Sequence, residues 1–369
     1  MDTAKIQQLS KYNCMKICNI ELIQFRNYDR FDTELSSKLN WIYGSNGQGK
    51  TNLVESIHYL CNLESFRTNK ITNIIQKNNS EALINALIES RNYNHDVRIN
   101  VSKKGRQVFI DNNPSYQVSE YILSFMALAF TPESLSLFKS APQDRRKFFN
   151  KIISFLNPVY FKDLQKFNKI IVQKNASLRS GSIDQIPIWN KMLSHSAKKL
   201  IQQRLKFVEQ VNVYLHDLFM EVSGRSESLS LIYEPSFNLT CFEEKDFFKQ
   251  LERIQKKELH QGYSIIGPHR DEFHLMMNDQ KDKDFFSQGE FRITNLSLKM
   301  TINRLLYKRY KFYPILIFDD LFSELDEEVV NHVIQVLIKV NNQIFITSTS
   351  KPSHSLPGKC IKIEQGMQV

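Results

Sequence analysis

Eight consecutive residues, Gly44, Ser45, Asn46, Gly47, Gln48, Gly49, Lys50 and Thr51, combine glycines, an ammonium and a hydroxyl in the order G-x-x-x-x-G-K-T. That set suits one kind of chemistry, the holding of a polyphosphate. Backbone N–H groups must turn inward around phosphate oxygens, and side chains at Gly44, Gly47 and Gly49 would obstruct the approach. Lys50 is placed to neutralise the terminal phosphates, and the Thr51 hydroxyl to ligate the magnesium that bridges them. A chance glycine-rich turn is the alternative, and the flanks weigh against it. LNWIY (39–43) reads as a buried strand. Leu53, Val54, Ile57, Leu60 and Cys61 then recur at helical spacing, so phosphates would also meet a helix N-terminus.

A phosphate loop needs an acid for its metal, and PILIFDDLFSELD (314–326) supplies two. Ile315 to Phe318 form an expected buried strand ending in Asp319 and Asp320. Asp319 takes the magnesium role through water, and Asp320 polarises the attacking water. A strand followed by an acidic helix cap is the plainer reading. A further apolar run from Gln343 to Ile346, ending in Thr347, Ser348 and Thr349, favours the sheet arrangement.

FFSQGEFRITNLSLKMTINRLL (285–306) lies between these parts. Ser287, Gln288 and Gly289 open a helix whose Leu296, Met300 and Leu306 supply a packing face. In an ATPase of the ATP-binding-cassette class, such a serine and glycine at a helix N-terminus cap the γ-phosphate held by the opposite subunit. On its own the segment would be an ordinary Ser/Gly cap. Its place about thirty residues before the strand with two acids favours the cassette reading.

GSNGQGKTN (44–52), SFRT (65–68), FTPESLSLFKSAPQDRRKF (130–148), GPHRDE (267–272), SQGEFR (287–292) and IFDDLFSELDEE (317–328) resemble successive motifs of the RecF family, in order and over nearly the whole chain. QFRNYDRF (24–31) is similar to the family's opening strand and turn. The resemblance implies an α/β fold: a P-loop head of the ATP-binding-cassette type with mixed sheets, as in Rad50 and SMC proteins, plus an inserted, mainly helical lobe. It implies ATP and Mg2+ as ligands, and an ATP-dependent homodimer on double-stranded and gapped DNA. It also implies weak, DNA-stimulated ATP hydrolysis used as a switch. Cooperation with RecO and RecR in loading RecA at single-strand gaps follows, in recombinational repair and replication and in support of the SOS response.

The chain departs from common patterns in two places. Cassette ATPases usually carry Glu where Asp320 stands; the shorter arm, shared with RecF proteins, would hold water less closely and suits slow hydrolysis. The signature reads SQGE rather than SQGQ, but Glu290 lies beyond the phosphate-capping residues. Thr131 to Glu133 are the candidate for the glutamine-loop region.

These residues need a scaffold, and 369 residues are enough for about two domains. The expected division is 1–130 for the first part of the head, 131–258 for the helical insert and 259–369 for the rest of the head. In the first part, VRINVSKKGRQVFIDN (97–112) suggests a hairpin turning at KKGR. Its basic tip either touches DNA or is a solvated turn. In the insert, Ile201, Leu205, Val208, Val211, Leu215 and Leu218 form a core stripe. Folded back on itself, the insert has arms of at most roughly 60 residues, about 90 Å at 1.5 Å per residue. Pro158 and SGSIDQIP (180–187) interrupt it, so a compact lobe is expected.

The charge of +10, from 49 Lys plus Arg against 39 Asp plus Glu, favours a polyanionic partner. No apolar run reaches the roughly 18 residues that span a bilayer, and the first residues lack a signal-peptide pattern. A soluble, unexported, cytoplasmic protein with no membrane partner is expected. Five scattered cysteines fit a reducing compartment. Cys14 and Cys18 read as buried thiols, since no second Cys/His pair stands at zinc-site spacing. Arg26 and Asn27 either reach the nucleotide or sit exposed in a hairpin. Arg67 and Arg270 match RecF motifs without a role that the sequence supplies. His269 reads as a hydrogen-bonded structural histidine rather than a metal ligand. Arg145, Arg146, Lys147, Lys198 and Lys199 are candidates for DNA contact. Two rival functions remain open: another cassette-type ATPase, of the SMC/Rad50 class or a transporter subunit, and a non-catalytic DNA scaffold that keeps a phosphate loop by descent.

Overall fold

The computed structural model describes residues 15–90, 93–115, 117–132, 137–237, 243–278, 280–281, 286–320, 322, 325–352 and 358–369. The chain divides into two compact units: Met1–Leu135 with Glu221–Gly224 and Leu306–Val369, and Ser136–Met220 with Arg225–Leu305.

The first unit carries two six-stranded sheets. One runs in the order Met367–Gln368, Gly358–Glu364, Leu39–Tyr43, Ile344–Ser348, Ile315–Phe318, Ala127–Phe130. All its pairings are parallel except the first. Ile315–Phe318 is buried at every position, as a parallel strand covered on both faces requires. The other sheet is antiparallel, in the order Tyr28–Glu34, Lys16–Phe25, Glu81–Ser90, Tyr93–Ser102, Gly105–Ile110, Asn113–Pro114. Along Glu81–Ser90 every second residue is buried, so Ala82, Ile84, Ala86 and Ile88 face the core. The hairpin expected at KKGR forms: Ser102 pairs with Gly105, leaving exposed Lys103 and Lys104 as its loop.

The helix Lys50–Asn62 joins one continuous core with both sheets through Leu53, Val54, Ile57, Leu60 and Cys61. Each fully buried aliphatic side chain contributes roughly 1.5–3 kcal/mol. That burial fixes the helix, and with it the loop that precedes it.

The second unit contains helices Pro142–Leu156, Pro158–Ser180, most of Ile186–Ser223, Glu244–Gln261 and most of Gln288–Tyr310. Pro142 and Pro158 open their helices, where a missing N–H costs nothing, and the Asn157 side chain accepts from the Val159 amide at 3.1 Å. The longest helix has 38 residues, about 57 Å. Five of the six stripe residues are buried, but Leu205 is 37% exposed. Neighbouring helical residues point about 100° apart, and it is Arg204, 1% exposed, that occupies the buried face.

The boundary expected at 258 is corrected. Strand Leu229–Glu234 pairs with Glu272–Met277, which pairs with Gln280–Lys281. Residues on both sides of 258 therefore share one sheet, and residues 259–305 belong to the second unit. No helix among the described residues is long and apolar enough to cross a membrane. Cys18 is half-buried rather than buried, Cys61 is buried and Cys360 exposed; Cys14 and Cys241 lie outside the described residues, as do Glu133, Ser323 and Glu324.

Candidate functional site

The loop leaves the strand Leu39–Tyr43 and enters the helix Lys50–Asn62. Gly44, Gly47 and Gly49 have φ of 152°, 80° and 117°, the region that glycine enters without strain. A Cβ on Gly44 would lie 2.3 Å from the Ile363 carbonyl oxygen, and one on Gly49 2.7 Å from Asn27 Nδ2. The loop is held from outside. The Tyr28 hydroxyl donates to the Gly49 carbonyl at 2.9 Å, and the Gly366 and Gln365 amides donate to the Gln48 carbonyl and side chain at 3.0 and 2.5 Å. Ser45, Asn46 and Gly47 are exposed at the mouth.

Lys50 Nζ donates to the Gly44 and Ser45 carbonyls at 2.6 and 2.8 Å. Burial lowers its pKa, against the pull of Asp320 and Asp319. Phosphate oxygens can replace those carbonyls as acceptors. Asp319, 4% exposed, follows the acid strand, and its Oδ1 accepts the Thr51 hydroxyl at 3.0 Å. Burial raises the Asp319 carboxyl; hydrogen bonds from Thr347 and Thr51 oppose it, Asp320 adds to it, and Arg67 lowers it. A hydroxyl and a carboxylate converging in this way are hard oxygen donors, and they fit magnesium that completes its shell with phosphate and water. Asp320 is exposed, with φ of 49°. The loop, Thr51 and both acids thus gather in one place.

Residues 16–368 match the family model described as the RecF/RecN/SMC N terminal domain. Proteins called DNA replication and repair protein RecF in Bacillus cytotoxicus and Bacillus cereus are each 31% identical to this chain, over 347 and 349 residues, 91% of this chain and 92% of each relative. The chain belongs to the RecF family. A solved structure described as the recombination mediator protein RecF with ATP, in the RecFOR pathway, matches it with a TM-score of 0.83 at 28% identity, covering 97% of this chain and 98% of that one. An Smc head from Pyrococcus furiosus shares the fold alone, with a TM-score of 0.58 at 14% identity over 96% and 95% of the two chains. The expected fold class is met: an ATPase head of the SMC type with several sheets and a helical region.

The RecF motifs without a role in the sequence acquire one. Arg26 binds Glu55 through two hydrogen bonds, at 2.9 and 2.6 Å, and Ser65 of SFRT donates to the same carboxylate at 2.5 Å. Arg67 donates to Asn52 at 2.7 Å and to Glu55 at 3.4 Å. Asn52 donates to Asn27 at 2.6 Å, and Asn27 to the Gln48 carbonyl at 3.3 Å. QFRNY and SFRT are therefore joined to the phosphate loop through the polar face of its helix. Glu55, 0% exposed, was missed by sequence reasoning; a carboxylate among apolar helix positions was its only signal.

In the second unit, Ser287 and the signature helix form a reciprocal cap. The Glu290 amide donates to the Ser287 hydroxyl at 3.2 Å, and the Ser287 amide to the Glu290 carboxylate at 2.7 Å. Burial acts to raise the Glu290 carboxyl, but the Ser287 bonds and Arg225 outweigh it and lower its pKa. Glu290 thus organises the signature turn instead of merely lying beyond it. Ser287 is exposed, and a Cβ on Gly289 would meet nothing within 4 Å.

GPHRDE is an interior anchor of that unit. Asp271, 0% exposed, accepts Arg204 at 3.1 Å, the Ser236 amide at 2.8 Å, and the Tyr233 hydroxyl. His269 lies 3.0 Å from the Ser264 carbonyl, and no group of three or more His, Cys, Asp or Glu suited to a metal occurs among the described residues. Exposed Arg270 lies over the Tyr263 ring, 5.2 Å from its centre. One DNA candidate is corrected: Arg145 is 1% exposed and bound to Glu272 at 2.6 Å, because its helix turns it inward. Arg146 contacts the Asp271 carbonyl at 3.0 Å, while Lys147 and Lys199 stay exposed and Lys198 is half-buried.

Proposed function

We propose that this chain is an ATP-dependent DNA-binding protein of recombinational repair and replication. The observation that carries the reading is the meeting of Thr51 and Asp319 beside an intact phosphate loop, in a chain of the RecF family. The family's relatives are named for DNA replication and repair, and one is described with ATP.

In this reading Lys50 balances the terminal phosphates, Thr51 and Asp319 hold Mg2+, and Asp320 orients water. Magnesium, when bound, offsets the negative charge between the last two phosphates. Ser287 and Gly289 serve the ATP of a second copy, so nucleotide joins the dimer and hydrolysis releases it. The one-carbon-shorter arm of Asp320 suits a slow, DNA-stimulated switch. A net charge of +10 supports contact with the phosphates of double-stranded and gapped DNA. RecR, with RecO, is the proposed partner and RecA the indirect one, at single-strand gaps in the cytoplasm and in support of the SOS response.

Sizing the protein with ATP, ADP or no nucleotide, with and without gapped DNA, tests this. A dimer formed with ATP and retained on DNA is expected. A monomer under all conditions, or no DNA binding, overturns the reading.

A further inference from the structure

Ile344–Ser348 is the strand between the phosphate-loop strand and the acid strand, and it carries a hydroxyl that belongs to neither motif. Its register pairs Ile346 with Phe318 on one side and Thr347 with Ile42 on the other. Thr347, 2% exposed, thereby arrives level with the two acids. The Asp320 amide donates to Thr347 Oγ1 at 2.8 Å, and Thr347 Oγ1 donates to Asp319 Oδ1 at 2.8 Å. The direction is fixed, because an amide can only donate and a hydroxyl has one proton. That proton must go to the carboxylate. Asp320 meanwhile keeps a left-handed φ of 49°, which persists only where neighbours hold it.

We propose that Thr347 is a positioning residue: its hydroxyl ties the metal-binding carboxylate of Asp319 to the backbone of Asp320, so that the two acids keep one separation and one orientation. The proposal rests on the reading of Asp319 and Asp320 given above. Thr51 and Thr347 hydrogen-bond the same oxygen, Oδ1. With a metal bound by Thr51 and Asp319, Thr347 would be the hydroxyl that orients the carboxylate from a strand outside the phosphate loop.

The test compares Thr347→Val, which keeps the shape and removes the hydroxyl, with Thr347→Ser, which keeps the hydroxyl. Thermal unfolding first confirms that both fold. Hydrogen exchange at the Asp320 amide, without nucleotide, reads the tie directly: exchange should be at least about tenfold faster in Thr347→Val and close to wild type in Thr347→Ser. In ATP hydrolysis, Thr347→Val should lower kcat and raise the magnesium needed for half-maximal rate, each by about 10–100-fold. Thr347→Ser should restore both to within about threefold. Unchanged exchange at Asp320 in Thr347→Val overturns the proposal whether or not the protein hydrolyses ATP. Equal failure of Thr347→Ser and Thr347→Val shows that keeping the hydroxyl does not restore the site, and also overturns it. A wild type with no nucleotide affinity, but with the expected exchange pattern, sinks the ATPase reading and leaves the tie standing as backbone geometry.

Discussion

The Thr51 hydroxyl donates to Oδ1 of Asp319 at 3.0 Å, across 268 residues of chain. Thr51 opens the phosphate-loop helix and Asp319 follows the acid strand, with one strand between their parent strands in the sheet. Their meeting sets a hydroxyl and a carboxylate together beside the glycine-rich loop, the pair to which the proposed function assigns the metal.

Asp319→Asn should therefore remove the part of ATP affinity that depends on magnesium. Titration with nucleotide should show a loss of about 10–100-fold when Mg2+ is present and less than about twofold when it is chelated. Equal losses in both conditions would mean that the variant damages the loop, not the metal site.

Arg26→Met should destabilise the first unit, because it leaves the carboxylate of Glu55 buried beside fewer partners. Breaking a buried pair costs about 3–5 kcal/mol. Arg67, still 3.4 Å from Glu55, places the expected loss near about 3 kcal/mol. Urea unfolding reads it, and the double variant Arg26→Met with Glu55→Met should recover at least half. A single-variant loss below about 1 kcal/mol would show that the pair is not held as a buried unit.

Ser287→Arg should leave ATP binding nearly intact while stopping hydrolysis, because its bulk sits on the exposed start of the signature helix. Lys50→Ala should abolish ATP binding by removing the cation from the loop. Mixed together, the two inactive variants should regain ATPase activity, since one site of the heterodimer combines an intact loop with an intact signature. If the heterodimer forms and stays inactive, Ser287 does not act on the partner's nucleotide.

Stability of the second unit should depend on the protonation of His269. Burial, with Arg270 and Lys174 nearby, lowers its pKa to about 4 from 6.5, against the Ser264 carbonyl and Asp271. The folded value is below the unfolded one, so the unfolded chain takes the proton first as pH falls. The stability is present above about pH 6.5 and is lost as pH drops toward about 4, at most about 3 kcal/mol in all. His269→Gln can keep a donor to Ser264 and should flatten the fall in unfolding free energy across that window. An identical pH profile in the two proteins would show that the histidine does not titrate differently on folding.

Local patterns made much of this legible. The run from Gly44 to Thr51 has to bend where only glycine bends easily, and Ile315 to Phe318 are apolar at every position because both faces of a parallel strand are covered. The KKGR turn and the opening of the signature helix at Ser287 are likewise set by neighbours within a few residues. Leu205 shows the limit: spacing alone placed it on the buried stripe, whereas ion-pair chemistry put Arg204 there instead.

Sequence by itself determined the phosphate loop, the acid strand and the RecF motifs, because each depends on short-range backbone geometry and on residue type. Only the tertiary structure decided that Glu55 gathers Arg26, Ser65 and Arg67, that Asp271 takes Arg204 into the interior, and that Thr347 stands between Asp319 and Asp320. Those partners lie far apart in the chain and meet through strand order and register, which carry no local signature. A buried charge is retained only where such distant groups satisfy it, so its place could be known only once the sheets were assembled.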